Sequence, residues 1–281
     1  MIDLHTHTNN SDGTDTPHAL INKALSAGIT VLGITDHDTT SGWKDAIAAR
    51  RANLALVLGA EISCLTEDDV AVHMLGLLFD GENATMQTML EECRDSRLPR
   101  MRRMTELLTA DGIEISLEEV FAAMPEGATV GRPHLADALV AKGHIASRDE
   151  AFATLLHNGS KYYVTHIAPT PEDAIKVIRQ AGGVAVIAHP FATRRGQTLS
   201  AMSFPSLITA GLNGVEVEHR DHSQEEREQL RELARDLGLV ITGASDYHGT
   251  GKLNSIGENH TDPAEWARLE SMADARRVVT E

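Results

Sequence analysis

Positive charge is scarce in this chain: 25 Lys and Arg stand against 41 Asp and Glu over 281 residues, a formal net charge of −16. A field of that sign opposes non-specific association with long DNA or an anionic membrane surface, and neither is an expected partner. Aromatic residues make up only 4%, too few for a stacking platform along a long single strand. The only cysteines, Cys64 and Cys93, lack C-x-x-C spacing, which excludes a disulfide framework and a thiolate zinc ribbon. Any metal would have to be held by nitrogen and oxygen. No apolar run approaches a membrane span, and the chain opens on Asp3-Leu4-His5-Thr6-His7 instead of a basic stretch and an apolar signal core, so the cytoplasm is the expected compartment. Also missing are a G-x-S-x-G elbow and a glycine-rich P-loop with its lysine, so covalent catalysis on serine is not expected.

What is present is rhythm. Short β-branched, apolar runs at 2–8, 30–36, 55–62, 71–78, 184–189, 214–219 and 239–246 read as strands, with helical patterns between most of them. Thr16-Pro17 and Thr170-Pro171 place a capping hydroxyl before a first-turn proline. Ser116, Ser147 and Ser223 each precede a glutamate by three residues, the capping-box spacing. Such alternation predicts an α/β fold with a largely parallel sheet that seven strands can close into a barrel. Residues 82–165 break the rhythm: they are helical in pattern and read as an inserted domain, leaving 1–81 and 166–281 for the barrel. The first inserted helix, near 86–111, concentrates Arg94, Arg97, Arg100, Arg102 and Arg103, and Pro99 implies a kink or a break in it.

Ionisable residues fall at the ends of these runs: His5 and His7, Asp36 and His37, Glu61, His189, His219, and Asp246 with His248. In parallel α/β architectures such ends share the rim where ligands bind. His73 lies inside its run and has to point inward. Residues two apart on a strand project to one face, so His5 and His7 can reach one point, as can Asp246 and His248. Each has a plain structural alternative: a turn for Asp12-Gly13, a helix cap for Asp36-His37-Asp38, an arginine partner for Glu61. Taken together they match a mixed imidazole and carboxylate ligand set for Mn, Fe or Zn.

The ordered set Asp3–Thr8, Ser11–Gly13, Ile34–Asp38, Gly59–Ser63, His73–Gly76, Ala188–Pro190 and Gly243–His248 resembles the polymerase and histidinol phosphatase (PHP) family of metal-dependent phosphoesterases. The likeness runs over almost the whole chain. It implies a distorted (β/α)7 barrel with a helical insertion and two or three divalent ions. One would be held by His5, His7, Glu61 and Asp246, a second by Glu61, His73 and His189, a third by Asp12, His37 and His248. Asp3 and Asp36 would orient histidines from behind. The nucleophile would be a metal-bridging hydroxide at the Glu61 site, since a bound divalent ion brings the pKa of water from about 15.7 to near 7. Arg132, His134 and Lys161 of the insertion, with His219, are the expected substrate contacts. The implied substrate is a small nucleotide, a nucleoside monophosphate or 3′,5′-bisphosphate. Alternatives are 5′ to 3′ degradation of short RNA, histidinol phosphate hydrolysis, and a non-catalytic structural module.

Overall fold

Along the strand Ala55–Leu65, Leu56, Leu58, Ala60 and Ile62 enter one buried cluster and Val57 another. Along Val184–Ala188 the same split sends Ala185 and Ile187 one way, and Val184, Val186 and Ala188 the other. Side chains alternate across a strand, so both faces of this sheet are buried: one beneath helices, one in an enclosed interior. The structure, a computed structural model, describes the chain except His166, Arg276, Arg277, Glu281 and the side chain of Arg195. The expected start of the second barrel segment at 166 therefore lies outside the described residues.

Seven strands lie side by side in chain order: β1 (Ile2–Asp3), β2 (Val31–Ile34), β3 (Ala55–Leu65), β4 (Ala71–Leu77), β5 (Val184–Ala188), β6 (Gly214–Glu218) and β7 (Val240–Gly243). A parallel bridge between Thr6 and Tyr247 brings the two edges together, so the barrel is nearly closed. Helices α1 (Pro17–Ser26) and α2 (Trp43–Ala49) link the first three strands. Four more, α3 (Ala84–Ala110), α4 (Leu117–Ala122), α5 (Arg132–Ala141) and α6 (Arg148–Thr154), follow β4. After them come α7 (Pro171–Gln180), α8 (Phe204–Ala210), α9 (Gln224–Leu237) and α10 (Pro263–Ser271). The expected caps form: Thr16, Thr170, Ser116, Ser147 and Ser223 each accept a first-turn backbone N–H. Trp266 and Leu269 of α10 pack with Ile2, Val184 and Val240 and so plug the interior at the end away from the rim. Among the described residues no helix is long and apolar enough to cross a membrane.

The sheet is largely parallel as expected, with one antiparallel strand; the reach of β1 needs correction, and of the kink or break expected at Pro99 the break does not form. β4 pairs antiparallel with both β3 and β5, because β3 and β4 form a hairpin across 66–70, a connection that needs no crossover helix. The ladder of β1 ends at Asp3, not at residue 8. Beyond it, Thr6 carbonyl accepts from Thr35 N and His7 N donates to Tyr247 carbonyl, so the backbone is held by loop contacts. That approach needs Gly33, where a Cβ would sit 2.1 Å from the Leu4 carbonyl oxygen. Finally, α3 runs unbroken through Pro99 for 27 residues and serves two cores. Its Met86, Met89, Leu90 and Cys93 pack on the barrel, while Met101, Met104 and Leu108 join a separate cluster with Val120, Leu135, Leu139 and Leu156.

Candidate metal centre

Glu61 shares the inward parity of Val57 on β3, which carries a carboxylate to the rim and buries it there. Its Oε2 lies 3.2 Å from His5 Nε2, 3.1 Å from His7 Nε2 and 3.1 Å from His37 Nδ1. Its Oε1 lies 2.8 Å from His73 Nδ1 and 3.2 Å from His189 Nε2. Asp246 Oδ1 is 3.5 Å from His5 Nε2 and 3.4 Å from His7 Nε2, and Asp12 Oδ1 is 3.1 Å from His248 Nε2. Three sets emerge whose ligand atoms lie within 4.8 Å of one another: His5, His7, Glu61 and Asp246; His7, Asp12, His37 and His248; His37, Glu61 and His73. The structure thus brings all nine expected ligands together, with His189 joined through Glu61.

The backbone explains how they converge. Because β4 runs opposite to its neighbours, its early residue His73 lies at the rim, on the inward parity of Leu75 and Leu77. His189 and Asp246 follow β5 and β7 with φ of +31° and +51°, values that side chains with a Cβ rarely adopt and that cost on the order of 1–3 kcal/mol each. For His189, next to the inward Ala188, that turn redirects a side chain whose strand parity would point outward.

A cation fits these groups better than hydrogen bonding does. A carboxylate offers about four acceptor sites, fewer than the ring nitrogens crowded against Glu61. Buried Asp12 Oδ1, His37 Nδ1, His73 Nδ1 and His248 Nε2 make no hydrogen bond despite their short contacts. Burial and neighbouring charge pull in opposite directions here. Burial opposes ionised Glu61, but His73, His37 and His5 outweigh it and hold the carboxyl well below its ordinary range. Burial would depress His7, yet the Asp246 and Glu61 carboxylates raise it to about 9. His248 falls to about 4 through burial and the charges of His7 and Lys252, leaving its ring neutral and ready to ligate.

Behind the ligands stands Glu216, which the sequence reading did not single out. Buried on β6, it accepts from His5 Nδ1 at 3.1 Å and from His189 N at 2.9 Å. That fixes the His5 tautomer with its Nε2 lone pair toward the cluster. The role expected of Asp3 and Asp36 is therefore corrected. Asp3 accepts from Ser245 N and Gly257 N, pinning the turn before Asp246. Asp36 accepts from Thr8 N, Thr8 Oγ1 and Ser11 Oγ, and touches a ligand only indirectly, through Ser11 Oγ at 3.4 Å from His7 Nδ1. Glu216→Gln should weaken metal binding about 10–100-fold with little loss of helix content. Unchanged manganese affinity in a calorimetric titration would remove Glu216 from this role.

Above the cluster opens a cavity of about 510 Å³ whose wall includes Arg97, Arg100, Arg132, Arg148, Arg220 and Lys252. Arg132 Nη1 donates to Leu156 carbonyl at 2.8 Å and to Asn158 Oδ1 at 2.7 Å, and its guanidinium stacks on Phe152 and Tyr163. Two other expected substrate contacts point elsewhere. His134 is buried with Nδ1 accepting from Gly131 N, so it caps α5. Lys161 is exposed and ion-paired with Asp111, away from the cavity lining. His219 is buried beside the cluster; Asp221 N donates to its Nδ1, which leaves Nε2 carrying the proton 3.4 Å from Asp246 Oδ2.

The fold and this ligand set define a metal-dependent phosphoesterase. The model of the PHP domain matches residues 3–144, and the chain belongs to that family. It is 33% identical over 252 residues to a 3′,5′-nucleoside bisphosphate phosphatase of Chromobacterium violaceum, covering 89% of this chain and 88% of that one. It is 35% identical over 255 residues to the 5′–3′ exoribonuclease Rnm of Escherichia coli K12, covering 88% and 85%. A crystal structure from Bifidobacterium adolescentis, provisionally described as a metal-dependent phosphoesterase, superposes with a TM-score of 0.91 at 40% identity, covering 97% and 96%.

Proposed function

We propose that the protein hydrolyses phosphate esters of small nucleotides, nucleoside monophosphates or 3′,5′-bisphosphates. The observation that carries this reading is the stacking of two layers: a buried imidazole and carboxylate cluster as floor, and an arginine-lined cavity of about 510 Å³ above it. His5, His7, Glu61 and Asp246 would hold one divalent ion, Glu61, His73 and His189 a second, and Asp12, His37 and His248 a third. Mn, Fe and Zn all suit such donors. When bound, these ions supply an activated water and neutralise charge on the phosphoryl and leaving oxygens.

The chain's own residues do the rest. Glu216 and the strained turns at His189 and Asp246 keep the donors aimed at one volume before substrate arrives, which is preorganisation in its literal sense. Arg132, its plane fixed by two aromatic rings and two acceptors, offers its remaining fork nitrogens to phosphate oxygens. Net charge of −16 does not oppose an anionic substrate here, because the basic wall sets the local field. Arg132→Ala should raise KM for a nucleotide about 10–100-fold and change kcat less, the loss expected of a charged hydrogen bond. Unaltered Michaelis constants would take the insertion out of substrate binding.

A second reading, 5′ to 3′ trimming of short RNA, is favoured by the similarity to the Escherichia coli exoribonuclease. Completeness of the ligand set speaks against a purely structural module. The deciding experiment measures phosphate and nucleotide release with defined metals across nucleoside mono- and bisphosphates and 5′-phosphorylated oligoribonucleotides of graded length. Turnover confined to oligomers would replace the first reading by the second, and no release from any of them would overturn both.

A further inference from the structure

Among the described contacts, the insertion meets the candidate metal centre at the pair of loops that carry Asp12 and His37. On α3, Arg94 and Arg97 lie three residues apart and so on one face. Arg94 Nη1 donates to Asp38 carbonyl at 2.7 Å, and Arg97 Nε donates to Asp38 Oδ2 at 2.8 Å, with Nη2 on the same oxygen. Arg97 Nη2 also donates to Ser63 Oγ at 2.8 Å and Nη1 to Val130 carbonyl at 3.2 Å, while Ser63 N donates to Asp38 Oδ1 at 2.7 Å. Asp38 and Arg97 are both buried, and Asp38 holds φ of +52°. Its neighbour in sequence, His37, is thereby turned with Nδ1 3.1 Å from Glu61 Oε2 and Nε2 3.7 Å from Asp12 Oδ2. Two more insertion contacts fall on the Asp12 loop: Thr129 N donates to Asn10 carbonyl at 3.0 Å, and Arg148 Nη1 to Asp12 carbonyl at 3.3 Å.

We infer that Arg97 is a positioning residue for metal binding, and that the insertion assembles the Asp12–His37–His248 group in particular. Left-handed backbone at an aspartate is unfavourable by itself and persists only where surroundings over-determine it. Here the surroundings are a guanidinium fork and a second arginine, both delivered by α3. A fork can span Asp38, Ser63 and Val130 at once, whereas a lysine ammonium is a point charge on a flexible stem and cannot. His5 is instead held from behind by Glu216 of β6, and His73 is placed by the β3–β4 ladder, so occupancy of the groups built on them should depend less on the insertion.

This inference rests on the metal reading above, and its test separates the two. Manganese binding is measured by calorimetry and by metal analysis of gel-filtered protein, for the unaltered chain, Arg97→Lys, Arg97→Met, Asp12→Asn and the Arg97→Lys/Asp12→Asn double variant. Arg97→Lys keeps the buried charge pair and so guards against simple unfolding of Arg97→Met. The expected result is one equivalent weakened about 10–100-fold in Arg97→Lys, the same equivalent lost in Asp12→Asn, and no further loss in the double variant. Equal affinity at every equivalent in Arg97→Lys, or equal weakening of all of them, would overturn the inference. Absence of manganese binding by the unaltered chain would instead sink the metal reading itself.

Discussion

Glu61→Gln is expected to abolish metal binding and to lower kcat/KM by on the order of 10³-fold or more, about 4 kcal/mol of barrier, while the far-ultraviolet dichroism stays close to that of the unaltered protein. The substitution is nearly isosteric, yet it removes the one negative charge toward which His5, His7, His37, His73 and His189 all point. It also puts an amide NH2 where a carboxylate oxygen otherwise meets the ring nitrogens of His5, His7 and His37. Backbone pairing of β3 is untouched, since Glu61 N donates to carbonyls of Thr35 and Asp36. Metal analysis and kinetics on the purified variant check the expectation. Retained metal with only a lower melting temperature would make Glu61 a counter-ion for buried histidines and nothing more.

Removing metal from the unaltered protein should have the second large effect: activity should disappear with a chelator and return with Mn²⁺, and the melting temperature should follow free metal. An ion present at about 100 times its Kd stabilises the folded state by about 2.7 kcal/mol. The pH dependence has a definite sign. With no metal bound, burial depresses His7 but the Asp246 and Glu61 carboxylates more than compensate, so it titrates near 9 instead of 6.5. Its contribution to the stability of the metal-free protein is fully present below pH 6.5 and fades as pH rises toward 9. Metal must displace that proton, so affinity climbs over the same window and binding releases protons. The gap between metal-loaded and metal-free melting temperatures therefore widens from pH 6.5 to 9. Titrations in buffers of different ionisation enthalpy read the released protons directly, and a gap that narrows with pH contradicts the assignment of His7.

Most of the site is legible in the sequence because strand ends carry it: an apolar run followed by His or Asp names both the element and the rim. Direction was harder to read. His73 sits inside its run, and alternation reveals which face it takes but not which end of the barrel it occupies; only the hairpin at 66–70 places it at the rim. Glu216 is legible only indirectly: a glutamate between Val215 and Val217, both facing a buried layer, has no inexpensive place to go unpaired. For Asp3 and Asp36 the resemblance implies a place behind the histidines, yet an acid can as readily accept backbone N–H groups, and here both do. The arginines of α3 were visible as a concentration. Their division was not: positions 94, 97 and 100 share a face toward the barrel and cavity, whereas Arg103 pairs with Glu106 in solvent. For His134 and Lys161 the sequence alone does not separate phosphate contact from the cap and the surface ion pair that the structure shows.

Anomalous diffraction from a crystal grown with Mn²⁺ tests the core of this account most directly. The expected map has its strongest peaks in the volume bounded by His5, His7, Glu61 and Asp246 and in the adjoining groups around His73 with His189 and around Asp12 with His248, with Glu61 shared. Peaks confined to other parts of the surface, or none within coordination distance of Glu61, would contradict it.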